Sequence, residues 1–308
     1  MTAISASLSV SRGSARALRV ECYSSGMATR SGRFRSSRPL RHRAVGRILA
    51  AAALLLAAAC VPRAVVPIRT VSLEQRPSKS LVVLLPGRFD EAEDFARRRF
   101  PEIAREAGGT FDIVAVDAHM GYYKDGAIAE RLEQDVIRPA RARGYERIWL
   151  VGISMGGLGA IIYGDLHPGG VDGVFLIAPY LGPDDGAAAV AAAGGLAAWA
   201  PPPGPRDALG FADRIWAGTK DLVARPQPVV LAYGRDDKLA AAHRVLAEAL
   251  PSDRVLVMPG GHDWEPWQAA WRSFVEAGFV ERGSEAGFSG AAASAQGAGA
   301  VRPPSAPR

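Results

Sequence analysis

A serine lies in a sequence context that is typical of a catalytic nucleophile. Ser154 is the central residue of the motif GISMG (152–156), which follows the apolar run 147–151 and precedes a helical pattern over residues 158–167. Glycines two positions before and after a serine allow a strand and a helix to approach around a sharp turn that exposes the hydroxyl. Because the motif is short, a glycine-rich turn with a hydrogen-bonded serine is the alternative. We predict that Ser154 is a nucleophile.

A serine hydroxyl is a poor nucleophile at neutral pH and needs a general base. The chain has five histidines, namely His42, His119, His167, His243 and His262. His262 follows the last apolar run in the loop MPGGHDW (258–264), where two glycines allow the chain to fold back. We predict that His262 is the base, against the alternative of a hydrogen-bonded loop histidine. His243, on an Ala- and Leu-rich helical stretch, is predicted to be a surface or packing residue.

A third group must orient the imidazole and stabilise its protonated form. Two neighbouring carboxylates, Asp236 and Asp237, follow the apolar run 228–234. Both are candidates on position alone, and either gives the chain order Ser, Asp, His.

Short apolar runs alternate with helical patterns from residue 80 onward. The predicted strands are residues 80–87, 111–118, 147–154, 173–180, 228–234 and 254–260, and long helical patterns cover residues 91–108 and 127–144. Continuous apolar runs bounded by Gly, Pro or charged residues indicate buried parallel strands. The sequence therefore predicts an α/β fold, a doubly wound and mostly parallel sheet with helices on both faces. Residues 69–76 are predicted to add an edge strand.

These features together resemble the α/β-hydrolase superfamily over residues 80–281, with a short N-terminal sheet. The strings SMGGLGA (154–160) and GGHDWEPW (260–267) resemble more narrowly its esterase D and mycolyltransferase-like branch. The resemblance implies transfer of an acyl group from an ester to water through an acyl-Ser154 intermediate. It also favours Asp237 as the acid, because the acid of this superfamily commonly lies three residues after the glycine that ends the strand.

The oxyanion of a tetrahedral intermediate needs two backbone N–H donors. We expect one from Met155, directly after the nucleophile, and one from Arg88, because Pro86-Gly87-Arg88 stands where many relatives carry His-Gly-x.

The Ala- and Pro-rich segment 186–205 follows a strand after which family members insert lids. It is therefore predicted to cover an acyl pocket.

Charge and motif content exclude some other functions. Ten arginines and one glutamate precede Cys60, and from Cys60 onward 27 basic residues face 30 acidic ones. A mildly acidic body excludes a basic nucleic-acid-binding domain. Since the sequence has neither a Cys/His cluster with metal spacing nor a phosphate-binding glycine loop, we expect no cofactor and no metal.

The N-terminal region has the layout of a secretory signal. Residues 28–47 are rich in Arg and Ser, and they precede the apolar run ILAAAALLLAAAC (48–60), which is shorter than the roughly 20 residues of a membrane-spanning helix. LAAAC resembles the lipobox of bacterial lipoproteins, although Leu56 lies one position early. The resemblance implies acylation of Cys60 and attachment to a membrane. A cleaved signal of a periplasmic or secreted protein, an uncleaved anchor and a mitochondrial address are the alternatives.

The domain prediction follows from these segments. Residues 1–60 are a targeting region whose expected start is Met27, residues 61–79 are a linker, residues 80–282 form the hydrolase domain, and residues 283–308 are a disordered tail. The predicted function is a serine hydrolase that cleaves a small-molecule or lipid ester at the bacterial cell envelope. An acyltransferase, thioesterase or amidase with the same triad, or a non-catalytic envelope binding protein, are the alternatives.

Overall fold

The structure, a computed structural model, describes residues 63–288. Met27, Cys60 and the rest of the predicted targeting region lie outside the described residues, as does the chain beyond residue 288. Within residues 63–288 no helix combines the length and the apolar composition that crossing a bilayer requires.

Seven strands form one sheet. They are β1 (Thr70–Glu74), β2 (Ser80–Leu85), β3 (Asp112–Val116), β4 (Arg147–Ile153), β5 (Gly173–Ile177), β6 (Val229–Gly234) and β7 (Val255–Met258). Their order across the sheet is β1-β3-β2-β4-β5-β6-β7. All neighbouring strands are parallel except β1, which pairs antiparallel with β3 at the edge of the sheet.

Helices cover both faces of this sheet. They are α1 (Asp94–Arg97), α2 (Phe100–Glu106), α3 (Met120–Lys124), α4 (Ile128–Arg131), α5 (Arg138–Ala142), α6 (Met155–Leu166), α7 (Asp184–Ala192), α8 (Phe211–Val223), α9 (Ala240–Ala247), α10 (Trp264–Glu276) and α11 (Phe279–Arg282). Helix α6 packs on β2, β4 and β5, and α8 packs on α6. On the other face, Trp149 of β4 and Phe175 of β5 both contact Phe274 of α10.

The central strands are buried on both faces, which explains their continuous apolar sequences. Every residue of β2, β5 and β6 is buried. The mostly parallel seven-stranded sheet with helices on both faces confirms the predicted doubly wound α/β fold. The connection after β2 leads to β3 on one side of the sheet, and the connection after β4 leads to β5 on the other side. Ligands bind beyond the carboxyl ends of the strands at such a switch point.

The two long helical patterns are interrupted in the structure. The pattern at 91–108 divides into α1 and α2 at Arg99, whose φ of 59° lies in the left-handed region. Pro101 lies in the first turn of α2, where a missing N–H costs nothing, so a new helix begins there readily. The pattern at 127–144 contains a π-helical segment, Leu132–Ile137, directly before α5 and its Pro139. Because proline cannot donate an N–H, the helical hydrogen-bond pattern changes around it.

The packed structure continues past residue 282, the predicted end of the domain. Gly283–Glu285 forms a 3-10 turn, and the Phe288 ring packs edge-on against Phe279 with 5.1 Å between ring centroids. The Phe288 N–H also donates to the Asp253 carbonyl at 2.9 Å. Two apolar side chains, Ala286 and Phe288, are enough to fix this part of a segment that is otherwise poor in apolar residues.

The segment predicted as a lid begins within a helix. Helix α7 ends at Ala192, well before the three prolines at 201–203, because Gly194 and Gly195 follow it with φ of 90° and 97°. After these glycines, Leu196 and Trp199 are buried. The Lys220 ammonium of α8 donates to the backbone carbonyls of Ala197 and Trp199, which fixes the segment to α8.

Candidate active site

Ser154 joins β4 to α6 in a strained backbone conformation. Its φ is 52° and its ψ is −110°, values that cost a residue other than glycine about 1–3 kcal/mol. Both of its backbone polar groups are held: the Ser154 N–H donates to Ile177 O at 2.9 Å, and the Ser154 carbonyl accepts from Tyr180 N–H at 2.8 Å. The turn is thus fixed by the chain that follows β5.

The neighbouring glycines are required by the close approach of backbone segments. A Cβ atom at Gly152 would clash with the backbone of Gly156, and one at Gly156 would clash with the Leu85 carbonyl of β2. The helix therefore begins in direct contact with the ends of two strands. This geometry is that of the sharp strand-to-helix turn predicted from the motif, which we call the elbow (residues 152–156).

The loops after β6 and β7 are tied to each other by backbone hydrogen bonds. The Arg235 N–H donates to Met258 O at 2.7 Å, and the Asp236 N–H donates to Gly260 O at 2.9 Å. A Cβ atom at Gly234 would clash with the Gly260 carbonyl, so this approach also requires a glycine. The two loops thereby place Asp237 and His262 side by side.

His262 makes hydrogen bonds with both predicted partners. Its Nδ1 lies 2.8 Å from Asp237 Oδ2, and its Nε2 lies 2.9 Å from Ser154 Oγ. A carboxylate can only accept, so Nδ1–H donates to Asp237. In the neutral imidazole Nε2 then carries the lone pair that accepts the serine hydroxyl proton. This arrangement can remove a proton from Ser154.

The structure brings Asp237, and not Asp236, to the histidine. The Asp237 side chain has no solvent exposure, and its second oxygen accepts the Leu239 N–H at 2.7 Å. Burial by itself raises the pKa of the Asp237 carboxyl, but the hydrogen bonds from His262 and Leu239 outweigh burial, so its pKa lies below the ordinary value. Asp236 is exposed to solvent.

The turn that contains Arg88 lies beside the serine. A Cβ atom at Gly87 would lie 3.8 Å from Ser154 Cβ, and the Asp90 N–H closes the turn by donating to Gly87 O at 3.3 Å. Within residues 63–288, the backbone N–H groups of Arg88 and Met155 donate no hydrogen bond. Met155 directly follows the serine, and Arg88 follows the glycine that approaches it. The Arg88 side chain is exposed and lies over the Phe89 ring.

Asp90 links this turn to the histidine-bearing loop. Burial raises the pKa of its carboxyl, and the nearby Asp94 charge adds to the increase. Hydrogen bonds from the Trp264 side chain and the Gly87 backbone act in the opposite direction. Sequence reasoning missed this residue, because an aspartate in a loop has no spacing signature that would reveal a partner in another loop.

An aromatic cluster packs against the His262 ring. The Trp267 ring meets the His262 ring edge-on at 5.1 Å, and Trp264 packs edge-on against Trp267 at 5.3 Å. Trp264 also contacts Phe95 and Phe100, each at 5.9 Å. Trp267 is buried whereas Trp264 is half-buried, so Trp264 keeps more of its surface exposed than Trp267 does.

The other histidines of the described chain lie in other surroundings. His119 caps α3 by accepting the Gly121 N–H, and His167 stacks on Tyr163 at the end of α6. His243 is fully buried, and its Nε2 lies 2.9 Å from the Pro179 carbonyl oxygen. His42 lies outside the described residues. No group of His, Cys, Asp and Glu side chains in residues 63–288 is arranged to hold a metal ion.

Comparison with known proteins gives structural similarity at low sequence identity. No family model matches the sequence, and no curated protein matches it. Similar solved structures include the fluorophosphonate-binding serine hydrolase FphF of Staphylococcus aureus, with 14% identity and a TM-score of 0.49 over 68% of this chain and 97% of that one. The S-formylglutathione hydrolase FrmB of Staphylococcus aureus has 16% identity and a TM-score of 0.46. A ferulic acid esterase has 19% identity and a TM-score of 0.46. Each of these two similarities covers 70% of this chain and 97% of the other chain.

Proposed function

We propose that the protein is a serine hydrolase that cleaves carboxylic esters through an acyl-Ser154 intermediate. The observation that carries this proposal is the continuous hydrogen-bonded chain from Asp237 through His262 to the strained Ser154. Fold alone requires none of these three side chains. A buried carboxylate, an imidazole held in one tautomer and an oriented hydroxyl together form an acyl-transfer site.

The first half of the reaction acylates the serine. His262 Nε2 takes the Ser154 proton while Oγ forms a bond to the ester carbonyl carbon, and Asp237 stabilises the imidazolium. The negative charge on the carbonyl oxygen is held by the N–H groups of Met155 and Arg88. When the carbon–oxygen bond to the alcohol breaks, Nε2–H returns the proton to the leaving oxygen, and acyl-Ser154 remains.

The second half of the reaction regenerates the enzyme. A water molecule gives a proton to His262 Nε2 as its oxygen attacks the acyl carbon. The tetrahedral intermediate collapses, Oγ leaves, and the proton on Nε2 returns to Ser154. The products are the carboxylic acid and the free serine.

The segment 186–205 is proposed to cover the acyl side of this site. It follows β5, whose carboxyl end supplies the backbone that holds Ser154. Helix α7 also packs against α9, which begins just after Asp237. Since the segment contributes Ala side chains, with Leu196 and Trp199 packed inward, an apolar acyl group is the matching substrate class.

We also propose export and lipid attachment at Cys60. The arginine-rich segment, the short apolar run and the small residues before Cys60 support this location. Two acyl chains on Cys60 are enough for stable membrane attachment, at about 0.8 kcal/mol per buried CH₂. Metabolic labelling with an alkyne fatty acid is expected to mark the wild type and not C60A, and equal labelling of both would contradict the proposal.

The activity is tested with p-nitrophenyl esters of increasing acyl chain length. The wild type is expected to release p-nitrophenol from at least part of the series, and S154A is expected to release none above background. Adding a competing alcohol separates hydrolysis from acyl transfer, because a transferase forms the new ester in preference to the acid. Lack of turnover of every ester by a folded wild type would contradict the proposal.

A further inference from the structure

A buried histidine outside the proposed triad contacts the backbone that holds the nucleophile. His243 has no solvent exposure, and its Nε2 lies 2.9 Å from Pro179 O, 64 residues away in the sequence. A carbonyl oxygen can only accept, so Nε2 carries the proton and donates. The other ring nitrogen, Nδ1, is buried and has no hydrogen-bond partner within residues 63–288.

The residues around Pro179 form what we call the elbow clamp, residues 177–180. Its first residue accepts the Ser154 N–H and its last donates to the Ser154 carbonyl, so it holds both backbone polar groups of the nucleophile. Its second residue, Ala178, has a φ of 46°, which is a strained value for alanine. The strained conformations of Ser154 and Ala178 persist only when their surroundings fix them.

Pro179 is held from both sides. On one side a Cβ atom at Gly157 of α6 would lie 2.7 Å from Pro179 Cβ, which leaves no space for movement toward the helix. On the other side the carbonyl is bonded to His243 of α9. Helix α9 in turn follows directly from Asp237, whose carbonyl accepts the Ala240 N–H at 2.9 Å. His243 thus connects the loop of the acid to the clamp of the nucleophile.

We propose that His243 is a positioning residue for Ser154, because its Nε2–H fixes the elbow clamp and with it the strained backbone of the nucleophile. The step from backbone position to turnover rests on the proposed ester hydrolysis. The effect of His243 on the backbone of Ser154 does not depend on the proposed ester hydrolysis. The positioning role and the proposed function can therefore be disproved separately. The alternative is a histidine that adds only packing and general stability.

The imidazole suits this role because it stays neutral. Burial lowers the pKa of His243 to about 4, although the carboxylate of Asp237 acts in the opposite direction. A neutral ring with the proton on Nε2 gives one fixed donor for the Pro179 carbonyl.

The test uses two variants at position 243 and one matched control. H243F keeps a ring but cannot donate, and H243Q keeps an N–H that can reach the same carbonyl. T219V is the control, since Thr219 is also fully buried and its hydroxyl donates to the Ile215 carbonyl within α8. H243L replaces H243F if the phenylalanine variant does not fold.

Two readouts separate positioning from general stability. Hydrogen exchange of peptides containing the Ser154 and Tyr180 amides is expected to be at least about tenfold faster in H243F than in wild type, and unchanged in H243Q and T219V. In the ester assay, kcat of H243F is expected to fall about 10- to 100-fold with KM within twofold, while H243Q recovers most of kcat. Unchanged exchange in H243F, or equal exchange in H243F and T219V, would overturn the proposal. If the wild type has no esterase activity, the exchange result still decides the role of His243.

Discussion

His262 Nε2 lies 2.9 Å from Ser154 Oγ although 108 residues separate them in the sequence. The sheet explains this approach, because four adjacent strands each deliver one part of the site. Ser154 follows β4, the elbow clamp begins at the last residue of β5, Asp237 follows β6 and His262 follows β7. Parallel strands have their carboxyl ends at one edge, so residues distant in sequence meet there.

The two neighbouring aspartates are expected to differ sharply in their effect on turnover. D237N should lower kcat for p-nitrophenyl acetate by about 10⁴-fold, because an amide at this position lets His262 adopt the wrong tautomer. D236N should stay within twofold of wild type, since its side chain is exposed. Steady-state kinetics of the two purified variants checks this. A larger loss in D236N than in D237N would show that the acid is wrongly identified.

Adding one methyl group at Gly156 is expected to damage both the fold and the site. The new Cβ of G156A would clash with the Leu85 carbonyl, so strand and helix must separate, at a cost of roughly 1–3 kcal/mol or more. Activity should fall at least about tenfold, because the nucleophile shifts with the helix. The matched control is G210A, whose Cβ meets only the flexible Asp213 carboxylate at 3.3 Å. The urea-unfolding stability and the ester-hydrolysis rate of G210A should stay close to those of wild type. Equal losses of stability and activity in G156A and G210A would contradict this account of the elbow.

Acid is expected to destabilise the wild type more than H243Q. In the folded protein burial lowers the pKa of His243 to about 4 from its ordinary value of 6.5. As pH falls below 6.5 the unfolded chain takes up a proton that the folded chain does not, so folding stability falls until pH reaches about 4. Between pH 7 and pH 4.5 this loss amounts to about 2–3 kcal/mol for one histidine.

Urea unfolding at the two pH values measures this difference directly. The ionisable groups that act on His243, namely Asp237, His262 and Arg244, are present in both proteins, so their effects largely cancel in the comparison. The wild type should therefore lose more stability than H243Q over the interval. Parallel losses would show that His243 is not held neutral by burial.

Two tryptophan variants are expected to separate the role of one indole N–H from ring packing. W264F keeps a ring between Phe95 and Phe100 but removes the donor to Asp90, so the turn with Arg88 loses one tie to the histidine loop. We expect kcat to fall about three- to tenfold with KM little changed, which corresponds to about 1 kcal/mol of transition-state stabilisation. W267F is the control, because the Trp267 N–H has no hydrogen-bond partner within residues 63–288. A greater loss of kcat in W267F would contradict the proposed tie.

The sequence allowed the fold and the proximity of three side chains to be predicted, because both depend on local patterns. Apolar runs located the strands, and the residues that follow them located Ser154 and His262. Asp236 and Asp237 were not separable by position alone, since both occupy one loop. Their difference arises from the turn in which the Asp237 N–H donates to Gly234 O and its carboxylate accepts the Leu239 N–H.

The supporting residues were not predictable because their partners are distant in the sequence. His243 was expected to be a surface or packing residue, yet its imidazole bonds to Pro179 in another loop. The Trp264 side chain donates to the Asp90 carboxylate although the two residues are far apart in the sequence. Likewise, nothing in the pattern 91–108 showed that Arg99 would adopt a φ of 59° and divide the helix. Such features follow from tertiary packing and not from local propensity.

Covalent labelling of Ser154 by a fluorophosphonate probe tests the central claim most directly. The probe reacts with a serine whose proton a neighbouring base can remove, so it reports the hydrogen-bonded chain without any choice of ester. Peptide mass spectrometry of the labelled wild type is expected to place the adduct on Ser154, with strongly reduced labelling in H262A and D237N and no adduct in S154A. A folded wild type that carries no adduct, or an adduct on another serine, would contradict the account.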